Sequence, residues 1–346
     1  MSTHQTTGVT RVADLGAEQL SQMIKGYWVS QIVGTLAQLE IADQLAQGPL
    51  DYDILAGGIG CDPSATYRLL RASAEVGLVA VLPDGRFYLT PLGELLRSNV
   101  PGSMRSPAIA LTASGHWLPW GRLAEAVRHG ERQTVAALGQ ELFDYYAANP
   151  SEGSAFTGTM ASHSDAIAKE IAKAIDTSGI THVVDIGGAS GTIVGALLDK
   201  NPALLGTILE RADVAPRAKA ALAQRGLSSR CRVIEGDFFD FAPEADLYIL
   251  KSIVHDWDDQ QSTKILCNCA RALRPNGRVI LVEWVVPAHG KPGAAALSDL
   301  NMLVLLPGRE RTASQFEVLF HASGLRLDRI TEIASSMQLI EASPAA

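Results

Sequence analysis

From residue 16 to residue 77, apolar side chains recur three and four positions apart, which predicts helices over 16–30, 32–47, 51–59 and 63–77. The stretch that follows, GLVAVLPDGRFYLTPLGELL, holds two short β-type runs on either side of Asp84-Gly85, a hairpin signal. Helices closed by such a hairpin make a winged helix. Residues 106–178 return to helical spacing and carry many aromatics: Trp117, Trp120, Phe143, Tyr145, Tyr146 and Phe156. From 181 the period changes. Short apolar runs at 181–187, 206–210, 231–235, 246–251 and 277–286 alternate with helical stretches, which predicts a parallel sheet covered by helices. Two last runs, 325–332 and 336–341, would close that sheet as a hairpin. The pattern divides the chain into a winged-helix-like domain over 1–105, a helical linker or lid over 106–178 and an α/β domain over 179–346.

Composition sharpens this picture. A chain of 346 residues is comfortable for two domains, and 47% hydrophobic with 19% charged residues is the balance of a folded protein. The formal net charge of -8 leaves no electrostatic footprint for nucleic acid or an anionic membrane. Around the position of a recognition helix, Asp51, Asp53, Asp62 and Glu75 outnumber Arg68 and Arg71, although a DNA-reading helix should be basic. The apolar segment GYWVSQIVGTLAQLEIADQL suits a partner chain better, so a homodimer is expected. Cys61, Cys231, Cys267 and Cys269 lack zinc-finger spacing and are expected to be free thiols. The polar start MSTHQTTGVT has no signal core and no apolar run approaches roughly 18 residues, so a soluble, cytoplasmic protein is expected.

The segment HVVDIGGASGTIVGALL reads as a strand, a glycine turn and a helix start, the arrangement that brings backbone close to a ligand. A dinucleotide fingerprint beginning at Gly187 fails at Ala189 and Thr192. Asp185, just before the glycines, would repel a pyrophosphate but suits an ammonium group. Glu210, nineteen residues after Gly191, ends the second strand, where an acid grips a ribose diol. Asp237 and Phe238, after the third strand, offer an acceptor for an adenine amine and a face for its ring. Ammonium, ribose and adenine together specify S-adenosyl-L-methionine.

In ILKSIVHDWDD, His255 stands at a strand end with Lys251 four residues before it. Asp256, Asp258 and Asp259 read as a solvated turn and a cap for the next helix in preference to a Mg²⁺ cluster, and no metal is expected. His116 is open to two readings, a second substrate contact or packing.

The sequence resembles the class I S-adenosylmethionine-dependent small-molecule O-methyltransferases, the family of caffeate, hydroxyindole and bacterial polyketide methyltransferases. The resemblance rests on VVDIGGASG, EGDFF, LKSIVHDWDD, RPNGRVILVE, SDLNMLVL and GRERTASQFEVLF. It implies a Rossmann-like methyltransferase sheet with an N-terminal winged-helix dimerisation domain, and methyl transfer to a secondary metabolite with S-adenosyl-L-homocysteine as product. By that resemblance Asp185, Gly187 and Gly191 line the methionine end of the cofactor, and Glu210 holds the ribose. Asp237, Phe238 and Lys251 surround the adenine and neighbouring atoms, and Met160 and Ser164 touch the cofactor from FTGTMASHS. His255 falls on the general base, bracketed by Glu283 and Glu310. The acceptor is expected among His116, Trp120, Phe156, Trp257, Asn301, Met302 and Leu306.

Three positions depart from the pattern. Ala189 replaces a glycine of the loop, Glu210 stands where an aspartate is usual, and Leu306 stands near a substrate-binding asparagine of plant phenolic enzymes. The last argues against a lignin-type monophenol. Some members of the family keep the cofactor for decarboxylation, hydroxylation or pericyclic steps. The retention of His255, Glu283 and Glu310 favours methyl transfer over these; a ligand-sensing winged-helix regulator is the other alternative.

Overall fold

A computed structural model describes residues 6–289 and 293–345. The chain forms two compact units, Met1–Ala113 and Ser114–Ala346. Residues 106–178 are therefore shared, those up to Ala113 belonging to the first unit and the remainder to the second.

The first unit runs α1 (Thr6–Gln38), α2 (Ile41–Leu45), α3 (Tyr52–Ile59), α4 (Pro63–Glu75), β1 (Val79–Val81), β2 (Phe87–Leu89), α5 (Pro91–Glu94) and α6 (Arg105–Thr112). The helices expected over 16–30 and 32–47 are differently divided, because nothing near residue 31 breaks a helix. The chain turns at Glu40, whose φ of 56° lies in the left-handed region. Asp62 caps α4 by accepting the Ala65 N–H at 2.8 Å, with Pro63 at the first helical position. The hairpin pairs Val79 with Leu89 and Val81 with Phe87. Leu36, Ile41, Leu55, Leu70 and Phe87 make the core.

The second unit opens with α7 (Ser114–Trp120), α8 (Leu123–His129), α9 (Thr134–Leu138), α10 (Leu142–Ala148) and the long α11 (Pro150–Ala174). Strands and helices then alternate: β3 (His182–Ile186), α12 (Thr192–Lys200), β4 (Leu205–Glu210), α13 (Ala215–Gln224), β5 (Cys231–Glu235) and β6 (Ala245–Lys251). A 3₁₀ turn at Val254–Asp256 leads to α14 (Asp259–Ala272), β7 (Leu273–Glu283), α15 (Ala295–Leu305), α16 (Ala313–Ala322), β8 (Leu325–Glu332) and β9 (Gln338–Pro344). The seven strands lie in the order β5-β4-β3-β6-β7-β9-β8. The first five are parallel, and β9 and β8 close the edge antiparallel, as the last two apolar runs predict.

Alternation along the strands sorts their side chains into two cores. Val183, Ile249, Ile280 and Val282 pack with Ile171, Val194, Leu197 and Leu222 of α11–α13. Val184, Leu250, Val279 and Leu281 pack with Ile265, Leu266, Phe316 and Phe320 of α14 and α16. Both faces are covered, so the strands read as continuous apolar runs. Strand order reverses between β3 and β6. In such sheets ligands settle outside the carboxyl ends of the strands at that point. The four cysteines are free thiols, and among the described residues no helix is long and apolar enough to cross a membrane.

Candidate active site

A cavity of about 940 Å³ opens at the carboxyl ends of the parallel strands. Asp185, Gly187, Glu210, Asp237, Phe238 and Lys251 line it from the strand ends, and Met160 and Ser164 line it from α11. Gly191 does not line it. That residue caps α12 with φ 71°, a left-handed conformation that glycine adopts without strain. Asp185 is 2% exposed and burial pushes its carboxyl up to about 7. Gly188 presses on it so closely that a Cβ there would meet the carboxylate at 2.6–2.7 Å. Glu210 accepts the Ala189 and Arg211 N–H groups, each at 2.9 Å. Burial raises its pKa as well, whereas it lowers that of Lys251. A buried acid at β3, an acid at β4, and an acid with an aromatic face after β5 suit an ammonium, a diol and an adenine. The residues present fit S-adenosylmethionine.

The other side of the cavity is aromatic. Phe143, Tyr146, Phe156 and Trp257 line it. Tyr146 and Phe156 stack with centroids 4.7 Å apart, and Phe143 lies 6.1 Å from Trp257. Of the residues expected to hold the acceptor, Phe156 and Trp257 are on this wall. Trp120, Met302 and Leu306 do not line the cavity; they pack behind it in one cluster with Phe143, Tyr146 and Phe156, which do. Trp120 Nε1 donates to Asn301 Oδ1 at 2.8 Å. His116 is 5% exposed, its Nδ1 2.7 Å from the Tyr146 hydroxyl. Burial pushes this imidazole down to about 4 and the phenol up, so the pair is neutral and the packing reading of His116 describes its surroundings.

His255 and its two acids converge. The imidazole Nδ1 lies 2.8 Å from Glu310 Oε1 and 3.6 Å from Glu283 Oε2. Glu283 does a second job: its Oε1 accepts the N–H groups of Ile253 and Val254 at 3.1 and 3.0 Å, which fixes the turn carrying His255. These three side chains do not line the cavity, but their neighbours Ile253, Asp256 and Trp257 do. Burial pulls the His255 imidazolium down in pKa, yet the carboxylates of Glu283, Asp256 and Glu310 outweigh it and hold it up at about 10. Burial pushes Glu283 up to about 7.

The acidic run after His255 is not one solvated turn. Asp258 does cap α14, accepting the Gln261 N–H at 2.8 Å. Asp256, however, has side-chain exposure of only 15%, lies 3.3 Å from His255 Nε2, and is pushed by burial to about 6. It belongs to the site, and an acid-rich stretch gave no sign of that. The segment GRERT explains itself only in three dimensions. Gly308 lies so close that a methyl group would overlap the backbone of His255, Asp256 and Trp257. Arg311, fully buried, donates to the carbonyls of Val254 and Trp257, both at 2.8 Å, and to Asp259 at 2.9 Å. Thr312 then opens α16 with a capping box to Gln315.

A Rossmann-like sheet with acids ending its first strands, beside a buried imidazole–carboxylate cluster, defines a small-molecule methyltransferase. Residues 120–326 match the O-methyltransferase domain and residues 21–99 the O-methyltransferase dimerisation domain. The chain belongs to this family and is an S-adenosylmethionine-dependent O-methyltransferase. It is 38% identical over 326 residues to a phenazine O-methyltransferase of Lysobacter antibioticus, covering 94% of this chain and 95% of the relative. It is 35% identical over 315 residues to the mitomycin biosynthesis 6-O-methyltransferase of Streptomyces lavendulae, covering 90% of each. An O-methyltransferase from neocarzinostatin biosynthesis, solved with S-adenosylmethionine and 2-hydroxy-5-methyl naphthoic acid, superposes with a TM-score of 0.80 at 30% identity, covering 92% of this chain and 96% of that one.

Proposed function

We propose that the enzyme methylates a phenolic hydroxyl of a planar aromatic secondary metabolite, with His255 taking the hydroxyl proton on Nε2. The observation that carries this reading is the 2.8 Å contact of His255 Nδ1 with Glu310, beside a cavity walled by Phe143, Tyr146, Phe156 and Trp257. Asp185 would hold the ammonium of the cofactor, Glu210 the ribose, and Asp237 and Phe238 the adenine. When bound, S-adenosylmethionine supplies the electrophilic methyl group.

The protein has to provide a nucleophile. A phenol with a pKa of about 10 costs roughly 4 kcal/mol to ionise at pH 7. An imidazolium held up at about 10 keeps its proton at pH 7, so His255 takes the phenol's proton from its minor unprotonated form, and the transfer itself is then close to balanced. Glu310 accepts from Nδ1 and leaves Nε2 as the proton-accepting nitrogen. The aromatic wall holds a flat acceptor in the same plane from one encounter to the next.

Replacing His255 by alanine tests the reading. Turnover on a responsive phenol should fall by about 10²-fold or more, with cofactor affinity by calorimetry nearly unchanged. The same His255, Glu283 and Glu310 atoms lie within 4.8 Å of one another, a spacing that a divalent cation can also use. Full activity after dialysis against a chelator separates the proton reading from a metal one. Full activity of His255→Ala at neutral pH would sink the base assignment.

We further propose a homodimer through α1, which exposes Leu20, Met23, Ile24, Tyr27 and Trp28, all above 50%. Exposed apolar patches of this kind mark interfaces. A monomer by light scattering at micromolar concentration would overturn this.

A further inference from the structure

Glu310 carries its hydrogen bonds unevenly. Its Oε1 accepts from His255 Nδ1 at 2.8 Å and from the Ser298 hydroxyl at 2.6 Å. Its buried Oε2 has no hydrogen-bond partner among the described residues. The backbone of Glu310 is held as well, its N–H donating to Asp299 Oδ1 at 2.9 Å. Two consecutive residues of α15 thus grip the acid, one by its carboxylate and one by its main chain.

We propose that Ser298 is a positioning residue for the reaction, its hydroxyl holding Glu310 Oε1 in place for His255 Nδ1 and limiting how strongly that carboxylate attracts the imidazole proton. The inference rests on the base reading of His255. A serine early in a helix ordinarily turns its hydroxyl back to its own helix. Here it crosses to a carboxylate twelve residues further along the chain.

The sign follows from charge. A donor on Oε1 shares the negative charge that would otherwise act wholly on His255. Two other carboxylates set that balance and stay in place, Asp256 on the same turn and Glu283 from β7; Lys251 from β6 faces those two acids, and Asp299 holds only the Glu310 main chain. Removing the Ser298 hydroxyl therefore stabilises the imidazolium and moves His255 to higher pKa.

The test is a ¹⁵N titration of the histidines in the full-length protein without cofactor, with His255 assigned by its loss in His255→Gln. Ser298→Ala should raise the His255 midpoint by about half a pH unit, and Ser298→Thr, which keeps the hydroxyl, should restore it. Turnover at pH 7 should fall about threefold in Ser298→Ala, matching the smaller unprotonated fraction, with cofactor affinity unchanged. A His255 titration in Ser298→Ala that superimposes on the wild type overturns the proposal, even if thermal stability falls. If His255→Ala keeps full activity while the titration still shifts, the base reading fails and the coupling stands.

Discussion

Asp256 Oδ1 lies 3.3 Å from His255 Nε2, the ring nitrogen that Glu310 leaves free. Both nitrogens of the imidazole therefore face carboxylates, and the protonated ring persists to about pH 10 in spite of burial. A base must be unprotonated, and kcat/KM reports the free enzyme, so it should rise with pH from 7 towards 10. Asp256→Asn removes one of the charges that favour the imidazolium. Its rising limb should move to lower pH by about one unit. A wild-type profile already flat at pH 7.5 would contradict this account of the cluster.

Asp185→Asn should separate stability from binding. Burial raises this carboxyl from 3.8 to about 7, so the folded protein binds a proton that the unfolded chain has lost. That contribution is fully present below about pH 4 and is lost as pH rises through 7. At pH 8 the ionised group costs up to about 4 kcal/mol, at roughly 1.36 per unit. Without ligand, the variant should melt higher than the wild type at pH 8, with the advantage gone by about pH 4. In calorimetry the variant should bind S-adenosylmethionine several tens-fold more weakly, having exchanged a charged acceptor for the ammonium for a neutral amide. An unchanged affinity would show that Asp185 does not meet that group.

Glu283 has a structural task that its charge does not perform. Glu283→Gln keeps an acceptor for the Ile253 and Val254 N–H groups and should melt close to the wild type. Glu283→Ala leaves one buried donor, at Val254, and one part-buried donor, at Ile253, unpaired at up to about 1–3 kcal/mol each, and should melt lower by roughly 5 °C or more. Equal melting temperatures for the two variants would remove the anchoring role.

Gly308→Ala is a test of contact rather than of charge. The added methyl overlaps the main chain of His255, Asp256 and Trp257, so the turn must move. Small displacements of a reacting group cost about 10²-fold. Turnover should fall by at least tenfold, and cofactor affinity, which we propose to rest on Asp185 and Glu210, should not. Wild-type turnover would mean that the turn tolerates displacement.

The strands and their closing hairpin were legible because a sheet covered on both faces leaves uninterrupted apolar runs. The placing of Asp185, Glu210 and Asp237 around one cavity was legible because their order on successive strand ends fixes it. The long α1 was expected as two segments, although no helix breaker stands near residue 31 and the helix runs through to Gln38. Asp256 and Arg311 were invisible for a common reason: each sits in a run of charged residues that looks solvated, and only the fold buries them. Ser298 opens the segment SDLNMLVL, but a serine ahead of an aspartate on a helix gave no sign of its contact with Glu310. The acceptor side fared unevenly. Phe156 and Trp257 are on the cavity wall, while Met302 and Leu306 are not and pack in the cluster behind it, a distinction that helical periodicity cannot make.

α15 belongs to two neighbourhoods at once. Ser298 and Asp299 hold Glu310, and within the next turn Asn301 holds Trp120 while Met302 packs against the aromatic cluster. Acceptor scope on this scaffold therefore has an easy and a hard direction of drift. Exchanges at Phe143 or Phe156, on α10 and α11, reshape the wall and leave the proton-accepting apparatus alone. Exchanges at Asn301 or Met302, behind the cavity wall, shift a helix whose other end holds Glu310, so on the proposed base role of His255 a lineage that changes them must rebuild its pH optimum along the way.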